Sequence, residues 1–403
     1  MIINSSVQRF IEYLRIKTVQ PAPDYAGCTE FLRRQAEEVG LAFQAKEYVP
    51  GKPVVVLSWT GTQPELPSII LNSHTDVVPV SEEHWSYPPF AATREAIADG
   101  DFRIIARGAQ DMKIVGLGYL EAVRVLKARG ARLRRTLHLV FVPDEEIGGH
   151  DGMAHFVESE EFRALNAGFA LDEGMANPEA ALRVFYGERA PCWARFVAHG
   201  NAGHGSQFIR DTAAEKLVPI INELMDFRAA QLAELERPRA DGSRSTLGDV
   251  TTTNLTMLRA GVQHNVVPDS AEVCFDIRMA PHIDYIAFRS WLQRLADQQG
   301  AELQLVQFWD DNSVSPTDSA DPFWSAFARA ATAQGFDPAP EIFPAATDSR
   351  YLRRAGVPAL GVTPLCNAPI LLHDHDEYVT ESQFLRAVAF YTDVISAVAN
   401  VDA

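Results

Sequence analysis

Four apolar runs in this chain end in side chains that bind metals or move protons. Ser68-Ile69-Ile70-Leu71-Asn72-Ser73 runs into His74, with Asp76 two residues on; Arg103-Ile104-Ile105-Ala106 leads to Asp111. Leu137 to Val142 stops at Asp144-Glu145-Glu146, and Phe169-Ala170-Leu171 stops at Asp172-Glu173. In an open α/β sheet, ligands collect beyond the carboxyl ends of the strands. The four runs therefore predict one imidazole and several carboxylates at one edge of one sheet. Hard and borderline ligands without cysteine describe a catalytic cation site rather than a structural zinc knuckle. With carboxylates to spare, one could stay unligated and act as a base.

Each residue taken singly also has an ordinary reading. His74 could be a satisfied histidine at a strand end, and Asp76 the acceptor that orients its ring. Asp111 precedes a helix, where a carboxylate favours the macrodipole and caps the first turn. Glu145 and Glu146 are harder to explain away, because adjacent acids after an apolar strand concentrate charge where exposure alone does not require it. Asp172-Glu173 repeats the device before Gly174. His373 and His375, in His373-Asp374-His375-Asp376-Glu377, are either ligands or a solvated loop. Convergence of the set favours chemistry.

The elements that must position these residues alternate between helix and strand from residue 5 to about 185. Ser5 and Gln8 suggest a capping box, and Gly40 and Gly130 suit helix C-caps. Strands are predicted near 53–59, 68–74, 136–143 and 168–172, with a helix near 112–129. Such alternation implies a mostly parallel sheet flanked by helices. After about residue 187 the order becomes strand (192–199), helix opened by Thr212 and Glu215, two strands (250–258, 271–279), helix (284–298) and strand (302–308). That is the ferredoxin-like β-α-β-β-α-β pattern. Leu235 to Gly248 reads as its main exposed loop. Asp321-Pro322 then opens a helix, Val357 to Val362 forms a short strand, and Thr380 with Gln383 caps a final helix. The expectation is an α/β domain over 1–186 and 311–403, interrupted by an α+β domain over 187–310.

The chain has 403 residues, long for one ordinary core. A formal net charge of −17 argues against nucleic acid or anionic membrane as partner, since either would require a basic patch. Cys28, Cys192, Cys274 and Cys366 form no CxxC pair and read as free thiols of a reducing compartment. No apolar run approaches a membrane span of about 18 residues. The expected setting is the cytoplasm.

His74-Thr75-Asp76-Val77-Val78-Pro79, Arg107-Gly108-Ala109-Gln110-Asp111-Met112-Lys113, Asp144-Glu145-Glu146-Ile147-Gly148-Gly149, Gly203-His204-Gly205-Ser206 and the His373 to Glu377 run resemble the M20 metallopeptidase and amidohydrolase family. Leu171 to Gly174, Asp211 to Leu217 and Pro344 to Asp348 extend the resemblance over essentially the whole chain. It implies a zinc-peptidase-like α/β catalytic domain with an inserted ferredoxin-like lid and dimerisation domain. It further implies two Zn2+ per subunit, with Co2+ or Mn2+ as substitutes: one on His74, Asp111 and Glu173, the other on Asp111, Glu146 and His373. Asp76 would orient His74, Glu145 would be the general base and then acid, and His375 a neighbour only. The Asp111–Met112 peptide would be cis. His204 would reach the partner subunit's site to stabilise an oxyanion, while Asn265, Arg278 and Arg350 would bind substrate carbonyl and carboxylate. For Arg278 an exposed strand residue in a cross-strand charge pair is the ordinary alternative. The implied activity is hydrolysis of N-acyl-L-amino acids by a cytoplasmic homodimer. Dipeptidase, carboxypeptidase or N-acetylornithine-type deacetylase activity is the alternative, and a metal-free binding protein of the same fold a remote one.

Overall fold

The computed structural model describes residues 3–97, 100–238 and 245–402. The described chain divides into two compact units: residues 1–186, 315–340 and 347–403, and residues 187–314 with 341–346. The return to the first unit thus comes at Ser315 rather than 311, and 341–346 group with the second unit.

The first unit is built on a mixed eight-stranded sheet. Its order is Ala42–Val49, Lys52–Trp59, Leu137–Val142, Ser68–His74, Ala167–Asp172, Ala359–Gly361, Leu182–Glu188, Pro338–Phe343. Only the central four strands run parallel; Lys52–Trp59 joins them antiparallel on one side and Leu182–Glu188 on the other. The parallel expectation therefore holds at the centre and fails at the edges. Ala42–Val49 was silent in the sequence because it is largely exposed and lacks apolar alternation. Ser68–His74 and Leu137–Val142 are buried throughout, and near-continuous apolar runs mark strands covered on both faces.

Helix Lys113–Ala128 packs on Ser68–His74 through Gly116, where a Cβ would lie 2.4 Å from Ser73 Oγ and 3.0 Å from the Phe141 ring. Gly116→Ala would push the helix off the strand that ends in His74. Helix Glu381–Val398 buries Phe384, Ala387, Val388, Tyr391, Val394, Ile395 and Val398 at helical spacing. Phe384 stacks on Phe10 at 4.5 Å. Each large apolar side chain so buried contributes about 1.5–3 kcal/mol, which anchors the helices that frame the site.

Several helix starts follow the sequence. Thr212/Glu215 and Thr380/Gln383 form reciprocal capping boxes, and Asp321 caps a helix with Pro at its start. The first helix is different: Asn4, not Ser5, is the N-cap and accepts from the Ser6 N–H. Asparagine outcompetes serine there by closing the turn two residues on.

The second unit's four-stranded antiparallel sheet runs Thr252–Ala260, Ser270–Met279, Ala190–His199, Glu302–Phe308. Helices Ala213–Glu236 and Tyr285–Gln299 complete the β-α-β-β-α-β order. The loop expected over 235–248 is shorter, because the helix runs to Glu236 and a 3-10 turn covers Leu247–Asp249; residues 239–244 lie outside the described residues.

Candidate active site

Three parallel neighbours deliver most of the site. His74 is the last residue of its strand, Glu145 and Glu146 open a 3-10 turn beyond Leu137–Val142, and Glu173 follows Asp172 directly. Pairing of His74 with Val142, and of Leu71 with Leu171, sets their ends side by side. Asp111 arrives differently. The strand before it, Phe102–Ile105, belongs to a separate three-stranded sheet with Thr93–Ala96 and Tyr378–Thr380. The expectation of one sheet edge is corrected here: Asp111 comes from the turn into helix Lys113–Ala128, through a cis Asp111–Met112 peptide.

The side chains form two trios that share Asp111. His74 Nε2 lies 3.1 Å from Asp111 Oδ1 and 3.6 Å from Glu173 Oε2. His373 Nε2 lies 3.2 Å from Asp111 Oδ2 and 3.0 Å from Glu146 Oε2. Within each trio the ligand atoms lie within 4.8 Å of one another. Asp111 thus turns one oxygen to each group. Glu145 and His375 belong to neither; His375 packs against His84 with ring centroids 4.9 Å apart.

The donors fit divalent cations. Imidazoles and carboxylates without thiol suit zinc-like catalytic sites, and the buried Glu146 Oε1 atom has no hydrogen-bond partner among the described residues. His74 Nδ1 meets the Asp76 backbone carbonyl at 2.9 Å, which fixes the ring and leaves Nε2 facing the trio. Here the structure departs from expectation. The Asp76 carboxylate is 3.7 Å from His74 Nδ1 and instead accepts the backbone N–H groups of Glu145 (3.1 Å) and Glu146 (3.3 Å).

Burial and neighbouring charges shift the groups of the two trios and Glu145. Burial, then the Glu173 charge, pushes the Glu145 carboxyl well up. Burial and Asp111 raise Glu146 to about 7, and burial and Asp111 also raise Glu173. Hydrogen bonds that His373 donates to Asp111 and Glu146 lift its imidazole to about 10. Burial opposes the charged form of Asp111, yet His373 and His74 hold it well below the usual carboxylate range. Bound cations would reverse this logic by favouring every deprotonated ligand.

Residues 70–397 match the model of peptidase family M20/M25/M40. The chain belongs to this family. It is 52% identical over 402 residues to aminoacylase-1 of Sus scrofa, covering 99% of this chain and 96% of that one. Human aminoacylase-1 is 50% identical over 402 residues, with the same coverage. In fold it is similar to an M20 family metallo-carboxypeptidase of Sulfolobus solfataricus, with a TM-score of 0.74, 17% identity and coverage of 98% and 100%. With the M20 assignment goes the reaction type: the chain is an amide-bond hydrolase of mixed α/β fold.

The other candidates make contacts of their own. Arg350 is buried, and its Nη2 donates to the Gly148 carbonyl at 2.8 Å. Tyr351 Oη donates to the same carbonyl at 2.7 Å, so both hold the loop beyond Glu146. In the second unit His204 is exposed on a two-stranded ribbon, Gly203–His204 with Val266–Val267, and its Nδ1 lies 2.8 Å from Ser206 Oγ. Asn265 shares that ribbon through its carbonyl, which accepts from Gly205 N–H at 2.8 Å. Arg278 pairs with Asp276 of its own strand at 3.0 Å.

Sequence reasoning assigned no role to Asp348, although it quoted the motif that contains it. Asp348 is 1% exposed, and neither carboxyl oxygen has a hydrogen-bond partner among the described residues. Burial, then the Asp172 charge, pushes it well up. A Cβ at Gly149, itself at φ +67°, would lie 2.6 Å from Asp348 Oδ1, so only glycine lets this loop close over it. Glu377 was also missed: it accepts from Arg107 Nη1 and from the N–H groups of Gly108, Gln110 and Asp111. Its sequence signal was present, since Glu377 closes the His373 motif.

Proposed function

We propose that this M20 protein hydrolyses the amide bond of N-acyl-L-amino acids, releasing a carboxylate and a free L-amino acid. The observation that carries the reading is a pair of ligand trios sharing Asp111, with Glu145 outside both. Similarity to aminoacylase-1 over nearly the whole chain supports the substrate class.

In this reading His74, Asp111 and Glu173 hold one cation, and Asp111, Glu146 and His373 the other. Two zinc ions, or Co2+ or Mn2+ in their place, would supply Lewis acidity that lowers the pKa of water and polarises the amide carbonyl. Glu145 takes a proton from the attacking water while the water oxygen bonds to the carbonyl carbon. It returns that proton to the amide nitrogen as the C–N bond breaks. His204, donated by a partner subunit, stabilises the developing oxyanion, worth about 3–4 kcal/mol for one donor. Asn265 holds the carbonyl. Arg278 holds the carboxylate, with Arg350 the second candidate; a guanidinium fork accommodates both carboxylate oxygens.

A homodimer through the second unit is part of the reading, with that unit as lid and dimerisation domain. On helix Ala213–Glu236, Val218, Met225 and Leu232 are exposed at seven-residue spacing. Edge strand Thr252–Ala260 exposes Met257 and Leu258. An open edge beside apolar surface favours self-association. Cytoplasmic residence accords with four free cysteines and with no described helix long and apolar enough to cross a membrane.

The deciding assay compares acetyl-Met with Gly-Leu and acetylornithine on protein of measured zinc content. Preference for acetyl-Met is expected; preference for either competitor assigns the other branch of the chemistry. Mixed dimers of His204→Ala and Glu145→Gln chains should regain activity, and failure to do so removes the role of His204 in trans.

A further inference from the structure

The carboxylate of Asp76 has a second buried neighbour that no part of the reaction yet uses. Gln20 is 6% exposed, and its side-chain amide donates to Asp76 Oδ2 at 2.8 Å and to Asp144 Oδ1 at 3.0 Å. Those two acids are not equivalent in their surroundings. Asp144 is also held by Tyr25 Oη at 2.6 Å and paired with Lys52 at 2.5 Å. Asp76, in turn, takes the backbone N–H groups of Glu145 and Glu146. Gln20 itself is fixed by a short parallel bridge: its N–H donates to the Val77 carbonyl, and Val77 N–H to the Thr18 carbonyl. Both hydrogens of one amide therefore tie the residue before the Glu145-Glu146 pair to the carboxylate that grips the pair's backbone. A neutral amide is the group suited to this place, because it satisfies two buried carboxylates without adding charge.

We infer that Gln20 is a positioning residue for the reaction, acting through Asp76 to hold the backbone of Glu145 in register with the two ligand trios. This rests on Glu145 being the base. A displacement of about 1 Å at a reacting group is enough to cost about 10²-fold in rate, so the effect falls on turnover rather than on substrate affinity.

The test uses full-length, zinc-loaded protein and acetyl-Met. Gln20→Met keeps the length and removes both donors. It should lower kcat about 10- to 100-fold, leave KM within about twofold, and leave metal content unchanged. Gln20→Glu, which preserves size and polarity, should fall at least as far, because it sets a carboxylate against two others. Tyr25→Phe removes a donor to the Asp144 carboxylate and an acceptor of the Asp144 backbone N–H, leaves both Asp76 contacts of the network in place, and should lower kcat far less. An unchanged kcat in both Gln20 variants overturns the inference. So does an equal loss in Tyr25→Phe, which would trace the effect to the loop around Asp144 rather than to Asp76. Loss of metal in step with loss of rate likewise overturns it. Glu145→Gln run in parallel separates the two claims: if it retains substantial activity, the assignment of the base itself is wrong.

Discussion

Two acidic nodes meet at the turn that carries Asp111 and behave in opposite ways. Glu377 is 0% exposed and is answered on all sides, by Arg107 at 2.8 Å and by backbone N–H groups of Gly108, Gln110 and Asp111. The trios around Asp111 are over-supplied with carboxylate: the first is buried, the second opens outward through half-buried Glu146 and exposed His373, and Glu146 Oε1 has no hydrogen-bond partner among the described residues. Both places hold carboxylates. What differs is whether the charge is balanced by the protein itself. A balanced node fixes geometry, and here Glu377 fixes the turn that carries Asp111. An unbalanced node stores electrostatic cost that a cation relieves, and its carboxylates stay available for proton transfer.

The comparison can be broken at either node. Glu145→Gln should bring the largest change, a fall in kcat of about 10²–10⁴-fold with metal content and folding retained; steady-state kinetics with metal analysis checks it. Glu377→Ala should act on stability instead. Removing one partner of a buried pair strands Arg107 and costs about 3–5 kcal/mol, measurable by urea unfolding, with weaker metal retention as a secondary effect. If Glu377→Ala proves neutral in unfolding, the node is not the balanced support described here.

A pH series sharpens the contrast. In metal-depleted protein Glu146, raised to about 7 from an ordinary 4.5, binds a proton that the unfolded chain has released. His373, raised to about 10 from 6.5, does the same at higher pH. In both cases the folded state holds more protons, so stability should fall as pH climbs from about 4.5 towards 10. Metal loading should flatten that slope, because bound ligands are deprotonated throughout. Thermal melts with and without chelator read it directly; parallel slopes would contradict the ligand assignment. The smallest change belongs to neither node. Thr380→Ala removes the cap of helix Glu381–Val398 and should cost about 1 kcal/mol of stability, with kcat unchanged.

Much of this was legible in the residues. The apolar runs ending at His74, Glu145 and Glu173 located three strand ends correctly, because buried parallel strands are written as continuous hydrophobic stretches. The boxes at Thr212 and Thr380 were legible because capping is local chemistry. Failures came where the decision was not local. Phe102–Ile105 reads as a strand of the main sheet but pairs elsewhere. Ser5 has the right neighbours for a cap, yet Asn4 takes the position. Gln20 carried no signal, since a lone glutamine in a loop is ordinary until its partners are known.

The sequence by itself determined which donors exist and that most stand at the ends of buried strands, because side-chain type and hydrophobic periodicity are properties of short segments. Only the tertiary structure decided that Asp111 turns one oxygen to each trio, and that the Asp76 carboxylate grips the Glu145-Glu146 backbone while its carbonyl holds His74. Those choices depend on segments near residues 20, 76, 111, 145 and 373 packing together, and a hydrogen bond selects its partner by distance and angle, which spacing along a chain does not encode.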